Sequence, residues 1–127
     1  MAKETTKRIL LVTAHNAFRE ALAVRMNQEE DLEVAWQAGS LADARDVHLD
    51  GVDVVVVDPL LPDGDGLVLI REVSVANPDA SALVLSHHML DPAMHHRALG
   101  AGAVEVLTAN ASIEEAMNAV RRSADAE

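Results

Sequence analysis

Asp58 closes a run of four valines, Val54-Val55-Val56-Val57, and is followed by Pro59-Leu60-Leu61-Pro62-Asp63-Gly64-Asp65-Gly66. Four β-branched residues in a row predict a strand buried on both faces, as in a parallel sheet. A carboxylate at the carboxyl end of such a strand lies where open α/β sheets gather their ligand chemistry. The plainer alternative is an aspartate that ends a strand and opens a turn. Ser86 repeats the arrangement, a hydroxyl at the end of the run Ala82-Leu83-Val84-Leu85. A further set is rich in imidazole: His87, His88, His95 and His96. His88 and His95 are near one helix face, but Pro92 interrupts the spacing and no cysteine or evident carboxylate completes a tetrahedron. These histidines read as a partly exposed helix face. His15 reads as structural, and Phe18 and Trp36 as core or edge-of-core aromatics. Asp63 and Asp65 could approach the crevice from their loop, although solvated turn acids are the commoner outcome.

The elements that must position these residues alternate along the chain. Ile9–Val12 is an apolar strand, and Phe18, Leu22, Val24 and Met26 then recur at helical intervals. A short strand is expected at about Leu32–Trp36, and a helix opens at Ser40, with Asp43 completing a capping-box-like pattern. Asp53–Asp58 is the third strand. Leu67, Leu69, Ile70 and Val73 mark a helix that stops before Asn77-Pro78. Ala82–Ser86 is the fourth strand, a helix runs from about Asp91 to Ala101, and Val104–Leu107 is the fifth strand. Ser112-Ile113-Glu114-Glu115 is a capping box opening a last helix through Arg122. With right-handed crossovers, these βα units predict a doubly wound α/β domain. The sheet is five-stranded and parallel, in the order 2-1-3-4-5, with helices on both faces. That order gathers the loops after Val12, Asp58 and Ser86 around one crevice.

Composition sets the outer bounds. A length of 127 residues predicts one domain, 1–127, with its core at about 7–122 and a tail or linker start at 123–127. Half the residues are apolar, yet there is one Trp, one Phe and no Tyr, so the core must be aliphatic. The absence of cysteine excludes disulfides, thiolate zinc sites and a cysteine nucleophile. Apolar runs fall far short of the roughly 20 residues of a membrane span. Residues 1–8 show no signal-peptide pattern, so a cytoplasmic location and no membrane partner are expected. A net charge of −11 argues against direct nucleic-acid binding by this chain.

Several motifs stand in order. They are Ile9-Leu10-Leu11-Val12-Thr13-Ala14-His15 with Phe18-Arg19-Glu20, Asp53–Asp58 with Pro62 and Asp65-Gly66, and Leu83-Val84-Leu85-Ser86. Ala98-Leu99-Gly100-Ala101-Gly102-Ala103 and Ala111-Ser112 complete the set. Together they resemble a response-regulator receiver domain, the CheY-like, flavodoxin-like phosphoacceptor module of two-component signalling. The resemblance is strongest to receivers that precede a helix-turn-helix of the NarL/FixJ (LuxR-type) kind, and it covers about residues 7–122.

The resemblance implies that Asp58 holds the phosphoacceptor position and Ser86 the switch hydroxyl position. The acid pair that holds Mg²⁺ falls on Thr13 and Ala14. The phosphoryl-binding lysine falls at Ala109, beside Thr108 and Asn110, and the aromatic switch falls at Val106. Asp58 and Ser86 match the pattern, and the other positions are degenerate. The expectation is therefore an atypical receiver with impaired or absent Mg²⁺-dependent phosphorylation, no resident metal or cofactor and no enzymatic activity of its own. The expected mode of action is protein interaction, as the regulatory module of a transcriptional regulator. The resemblance also implies a sensor histidine kinase as partner, and a DNA-binding helix-turn-helix domain in a longer protein. A homodimer through helical faces is expected, with Met89, Leu90, Met94 and His95 as its candidate surface. One alternative is an ordinary receiver phosphorylated on Asp58. Another is a flavodoxin-like small-molecule binding protein, which the lack of a G-x-G-x-x-G loop disfavours.

Overall fold

The computed structural model describes residues 6–86, 88–108 and 110–125. Its elements are β1 (Lys7–Val12), α1 (Asn16–Asn27), β2 (Leu32–Ala38), α2 (Leu41–Arg45) and a 3₁₀ turn at Leu49–Gly51. Next come β3 (Val54–Val57) and a short hairpin pairing Leu60–Leu61 with Gly64–Asp65. The chain continues through α3 (Val68–Ala76), β4 (Ser81–Leu85), α4 (Pro92–Ala101), β5 (Glu105–Leu107) and α5 (Ile113–Asp125). The five main strands pair in parallel in the order β2-β1-β3-β4-β5, as expected from the alternation of elements.

Strand alternation divides the core into two layers. Leu10, Val12, Val55, Val57, Ala82 and Val84 face α2, α3 and α4, where Leu41, Leu69, Ile70, Val73 and Ala98 meet them. Ile9, Leu11, Val54, Val56, Leu83 and Leu85 face α1 and α5, against Leu22, Met26, Met117 and Val120. All four valines of β3 are at most 1% exposed, which is why a valine run, not an alternating pattern, encodes this central strand. Truncating a fully buried residue such as Leu83 to alanine should cost roughly 2–5 kcal/mol.

Helix ends follow local chemistry. Ser112 and Glu115 form a complete capping box: the Glu115 N–H donates to Ser112 Oγ at 3.0 Å and the Ser112 N–H to Glu115 Oε1 at 2.7 Å. Asp91 caps α4 through the Met94 N–H at 2.8 Å, with Pro92 in the first turn. Gly102 ends α4 in the left-handed region, at φ +117°. His15 caps α1, its Nδ1 accepting the Phe18 N–H at 3.2 Å, which agrees with a structural role.

One local expectation is revised and two others gain detail. Val24 is 62% exposed, because the buried stripe of α1 runs through Leu22, Ala23 and Met26 instead. Helix α2 spans only Leu41–Arg45: Ser40 accepts the Asp43 N–H, while the N–H groups of Leu41 and Ala42 donate to Asp63, a residue of the β3–α3 loop. Trp36 packs on the α2-side core, but its ring also lies under the Arg8 guanidinium, 4.6 Å from the ring centroid.

Candidate functional site

The ends of β1, β3 and β4 bring Thr13, Asp58 and Ser86 to one edge of the sheet. Each is placed by one last ladder bond from its backbone N–H: Thr13 to Ala38 at 3.0 Å, Asp58 to Val12 at 2.9 Å, and Ser86 to Leu107 at 3.0 Å. All three side chains are buried, Thr13 at 2%, Asp58 at 3% and Ser86 at 1% exposure. Buried polar groups in such a position need partners. Asp58 Oδ1 accepts the Leu60 N–H at 2.9 Å, and its Oδ2 faces the Thr13 hydroxyl at 3.4 Å. Thr13 Oγ1 in turn accepts the His15 N–H at 3.3 Å, and Ser86 Oγ accepts the His88 N–H at 3.0 Å.

The loop after Asp58 is pressed against the strand end. A Cβ on Gly66 would lie 2.2 Å from the Asp58 carbonyl oxygen and 3.0 Å from Val57 Cγ2, so only glycine fits this approach. Gly66 N–H closes the loop on the Pro59 carbonyl at 2.9 Å. Asp63 and Asp65 are not free turn acids. Asp63 caps α2, and the Leu41 and Ala42 N–H groups hold its carboxyl below the usual carboxylate range. Asp65 accepts the Leu67 N–H at 2.9 Å and pairs with Arg97 of α4.

The remaining positions scatter. Ala14 is exposed and lines an apolar groove of ≈ 650 Å³ with Pro59, Leu60, Leu61, Pro62 and Met94. Val106 is half-buried in β5, packed on the α2-side core. Ala109 and His87 lie outside the described residues. His88, His95 and His96 are exposed. Among the described residues, no group of three or more His, Cys, Asp or Glu could hold a metal ion.

This donor set does not fit a magnesium ion. A hard cation of that size wants several oxygen ligands with carboxylates among them. At this edge Thr13 offers one hydroxyl already bonded to Asp58, Ala14 offers a methyl, and Asp63 and Asp65 are committed elsewhere.

Arg19 and Arg97 escaped the reading of the sequence as parts of this region. Arg19 donates from Nη1 to the Thr13 carbonyl and reaches Gln37 at 3.4 Å, clamping the β1–α1 loop. Its position within Phe18-Arg19-Glu20 was a signal of place but not of role. The Asp65–Arg97 pair joins residues far apart in sequence, and no local pattern announces it. No helix among the described residues is long and apolar enough to cross a membrane.

Comparisons with known proteins agree with this geometry. The family model described as response regulator receiver domain matches residues 9–121. The transcriptional activator DevR/DosR of Mycobacterium tuberculosis is 35% identical over 88 residues, 68% of this chain and 41% of that protein. The response regulator VraR of Staphylococcus epidermidis is 26% identical over 121 residues, 94% of this chain and 57% of that protein. The chain thus spans about half the length of these curated relatives. Among solved structures, the receiver domain of the response regulator NarL from M. tuberculosis superposes with a TM-score of 0.81 at 25% identity. That match covers 96% of this chain and 98% of the other.

Proposed function

Because the chain belongs to the response regulator receiver domain family of two-component signalling, in its NarL/LuxR-type branch, we propose that it is an atypical receiver. In this reading it regulates by protein association, and Mg²⁺-driven phosphorylation of Asp58 is impaired or lost. One observation carries the reading: the buried carboxylate of Asp58 faces the Thr13 hydroxyl, with an alanine as the next residue, where a metal-binding site needs carboxylates. Phosphoryl transfer depends on positioning and on neutralising charge, and the metal supplies much of that neutralisation. Removing one preorganised electrostatic group costs about 10²–10³ in rate, and the loss of the metal site costs at least as much.

Output follows the same logic. Val106 stands at the aromatic position of β5 and the chain has no tyrosine, so a phosphate-driven rotation of that side chain has no moving part. Receiver domains as a class interact with histidine kinases, and relatives of this branch are DNA-binding regulators. A longer protein carrying a helix-turn-helix domain is the setting proposed for this chain. Its working contact is a homodimer through the face of Met89, Leu90, Met94 and His95. Met89 is 65% exposed there, and Leu90 and Met94 are half-buried on the core.

The test is phosphorylation of Asp58 by acetyl phosphate and Mg²⁺, read by intact-mass spectrometry. The wild-type protein is expected to stay unmodified, and the double variant Thr13→Asp/Ala14→Asp to gain Mg²⁺ affinity at the Asp58 edge. Rapid, Mg²⁺-dependent modification of wild-type Asp58 would restore the ordinary phosphorylated receiver. Sedimentation supplies the second readout: a dimer indifferent to beryllofluoride supports association, whereas a monomer that dimerises only with beryllofluoride and Mg²⁺ opposes it.

A further inference from the structure

Between α3 and α4 lies a second concavity of ≈ 370 Å³, lined by Leu67, Val68, Arg71, Glu72, Arg97 and Ala101, with Asp65. Its lining balances two arginines against Asp65 and Glu72, whereas the molecule as a whole carries a net charge of −11. The chain carries 21 acidic residues against 10 basic ones, yet two guanidiniums converge on this apolar groove. Glu72 is already neutralised by Arg45, which bonds it through Nε at 3.1 Å and Nη2 at 2.7 Å. Arg97 is held by Asp65. Arg71 differs from the other arginines. Arg8, Arg19, Arg25, Arg45, Arg97, Arg121 and Arg122 each have an acceptor or a ring, whereas Arg71 has none among the described residues.

We propose that this groove binds a small organic carboxylate with an apolar body. The carboxylate is shared by Arg71 and Arg97 in competition with Asp65, and the body rests on Leu67, Val68 and Ala101. Guanidinium forks match carboxylates in planar, two-point geometry, which a lone surface lysine does not offer. The volume lies at the lower end of the ~300–1,000 Å³ of small-ligand sites, too small for a folded partner. The site adjoins the Asp58 loop through Asp65. Asp65 precedes Gly66, whose backbone packs on the Asp58 carbonyl, so a ligand that frees Asp65 from Arg97 loosens the 59–66 loop.

The probe is 4-phenylbutyrate, titrated into ¹⁵N-labelled protein and compared with its neutral amide. Saturable shifts at Val68, Arg71, Arg97 and Ala101 are expected, with the amide at least about tenfold weaker, about 1.4 kcal/mol. Arg71→Met keeps the aliphatic stem and should weaken the acid by a similar factor. Asp65→Asn removes the competing carboxylate and should tighten it. These positions are on the surface, and the same spectra report whether each variant is folded. The proposal is overturned by equal binding of acid and amide, by shifts centred on the Ala14 groove, by no saturable shift, or by indifference to either substitution. Preferential binding of an oligoglutamate peptide at the same residues would also overturn it.

Discussion

The Thr13 hydroxyl stands 3.4 Å from the Asp58 carboxylate, with both side chains buried at the carboxyl edge of the central sheet. At that distance the bond is long and weak. The better contact of Asp58 is the Leu60 N–H at 2.9 Å, which ties the carboxylate to its own loop. Asp58 therefore shapes the turn as well as standing at the position proposed for the phosphoacceptor, and the two roles separate by substitution.

Asp58→Asn keeps an acceptor for the Leu60 N–H and gains an amide that can donate to Thr13 Oγ1. Its stability is expected within about 1 kcal/mol of wild type. Asp58→Ala strips the acceptor from a buried hydroxyl and a turn N–H, and should cost roughly 1–3 kcal/mol. Urea unfolding of both variants checks this. A loss of several kcal/mol in Asp58→Asn would mean that the charged form is structurally required.

Two glycines should respond to alanine with opposite signs. At Gly66 the added Cβ meets the Asp58 carbonyl oxygen at 2.2 Å, a backbone atom that cannot step aside cheaply. Gly66→Ala should destabilise by at least about 1–3 kcal/mol and shift the amide resonances of Asp58 to Leu67. Gly100 lies within α4, and a Cβ there meets nothing within 4 Å. Gly100→Ala should stabilise by roughly 0.5–1 kcal/mol through helix propensity. Thermal unfolding of the pair decides it, and equal signs would contradict the packing described.

The sheet order and the site's central residues were legible because they rest on local signals. A valine run, a capping box at Ser112–Glu115 and proline or glycine stops each act within a few residues of themselves. Asp58 and Ser86 were legible for the same reason, since each terminates its own strand. What escaped was long-range. The Asp63 carboxylate serves α2 from 22 residues away, and nothing around Leu41 or Asp63 foretells that bond. Val24 misled because helical spacing alone does not say which of two overlapping apolar stripes faces the sheet.

Arg121 of α5 should make stability depend on pH and salt. It donates to Asp31 at 2.8 and 3.0 Å and to Glu29 at 2.7 Å, while Arg25 holds the other oxygen of Glu29 at 2.6 Å. The Arg25 bond, then the Arg121 bond, lowers the Glu29 pKa, and the Arg121 bonds lower that of Asp31. Carboxylates depressed in the folded state stabilise above their unfolded pKa, about 4, and lose that contribution as pH falls through the folded value. Arg121→Met should therefore be less stable than wild type at pH 7, and the gap should close as pH falls from about 5 through the depressed folded values. It should also narrow in 1 M salt, where screening acts within about 3 Å. A gap constant with pH would assign the effect to packing of the arginine stem.

Asp63 gives a sharper test of acid sensitivity because its helix is so short. Helix α2 has five residues, and two of its first N–H groups, Leu41 at 2.8 Å and Ala42 at 3.0 Å, donate to this one carboxylate. Those same bonds, with the Leu41 contribution the larger, hold the Asp63 pKa below its ordinary value. The sign again makes the ionised form the stabilising one: the cap is intact at neutral pH and fails as the carboxyl takes up a proton below about pH 4. Asp63→Ala should leave global unfolding nearly unchanged while accelerating exchange of the Leu41–Arg45 amides, after correction for intrinsic rates. Wild-type protein acidified below that depressed folded value should approach the same α2 protection as the variant at pH 7, and Asp63→Asn should fall between them. Protection of α2 that ignores both the substitution and the pH would show that burial of Leu41 and Ala44 holds the helix without the cap.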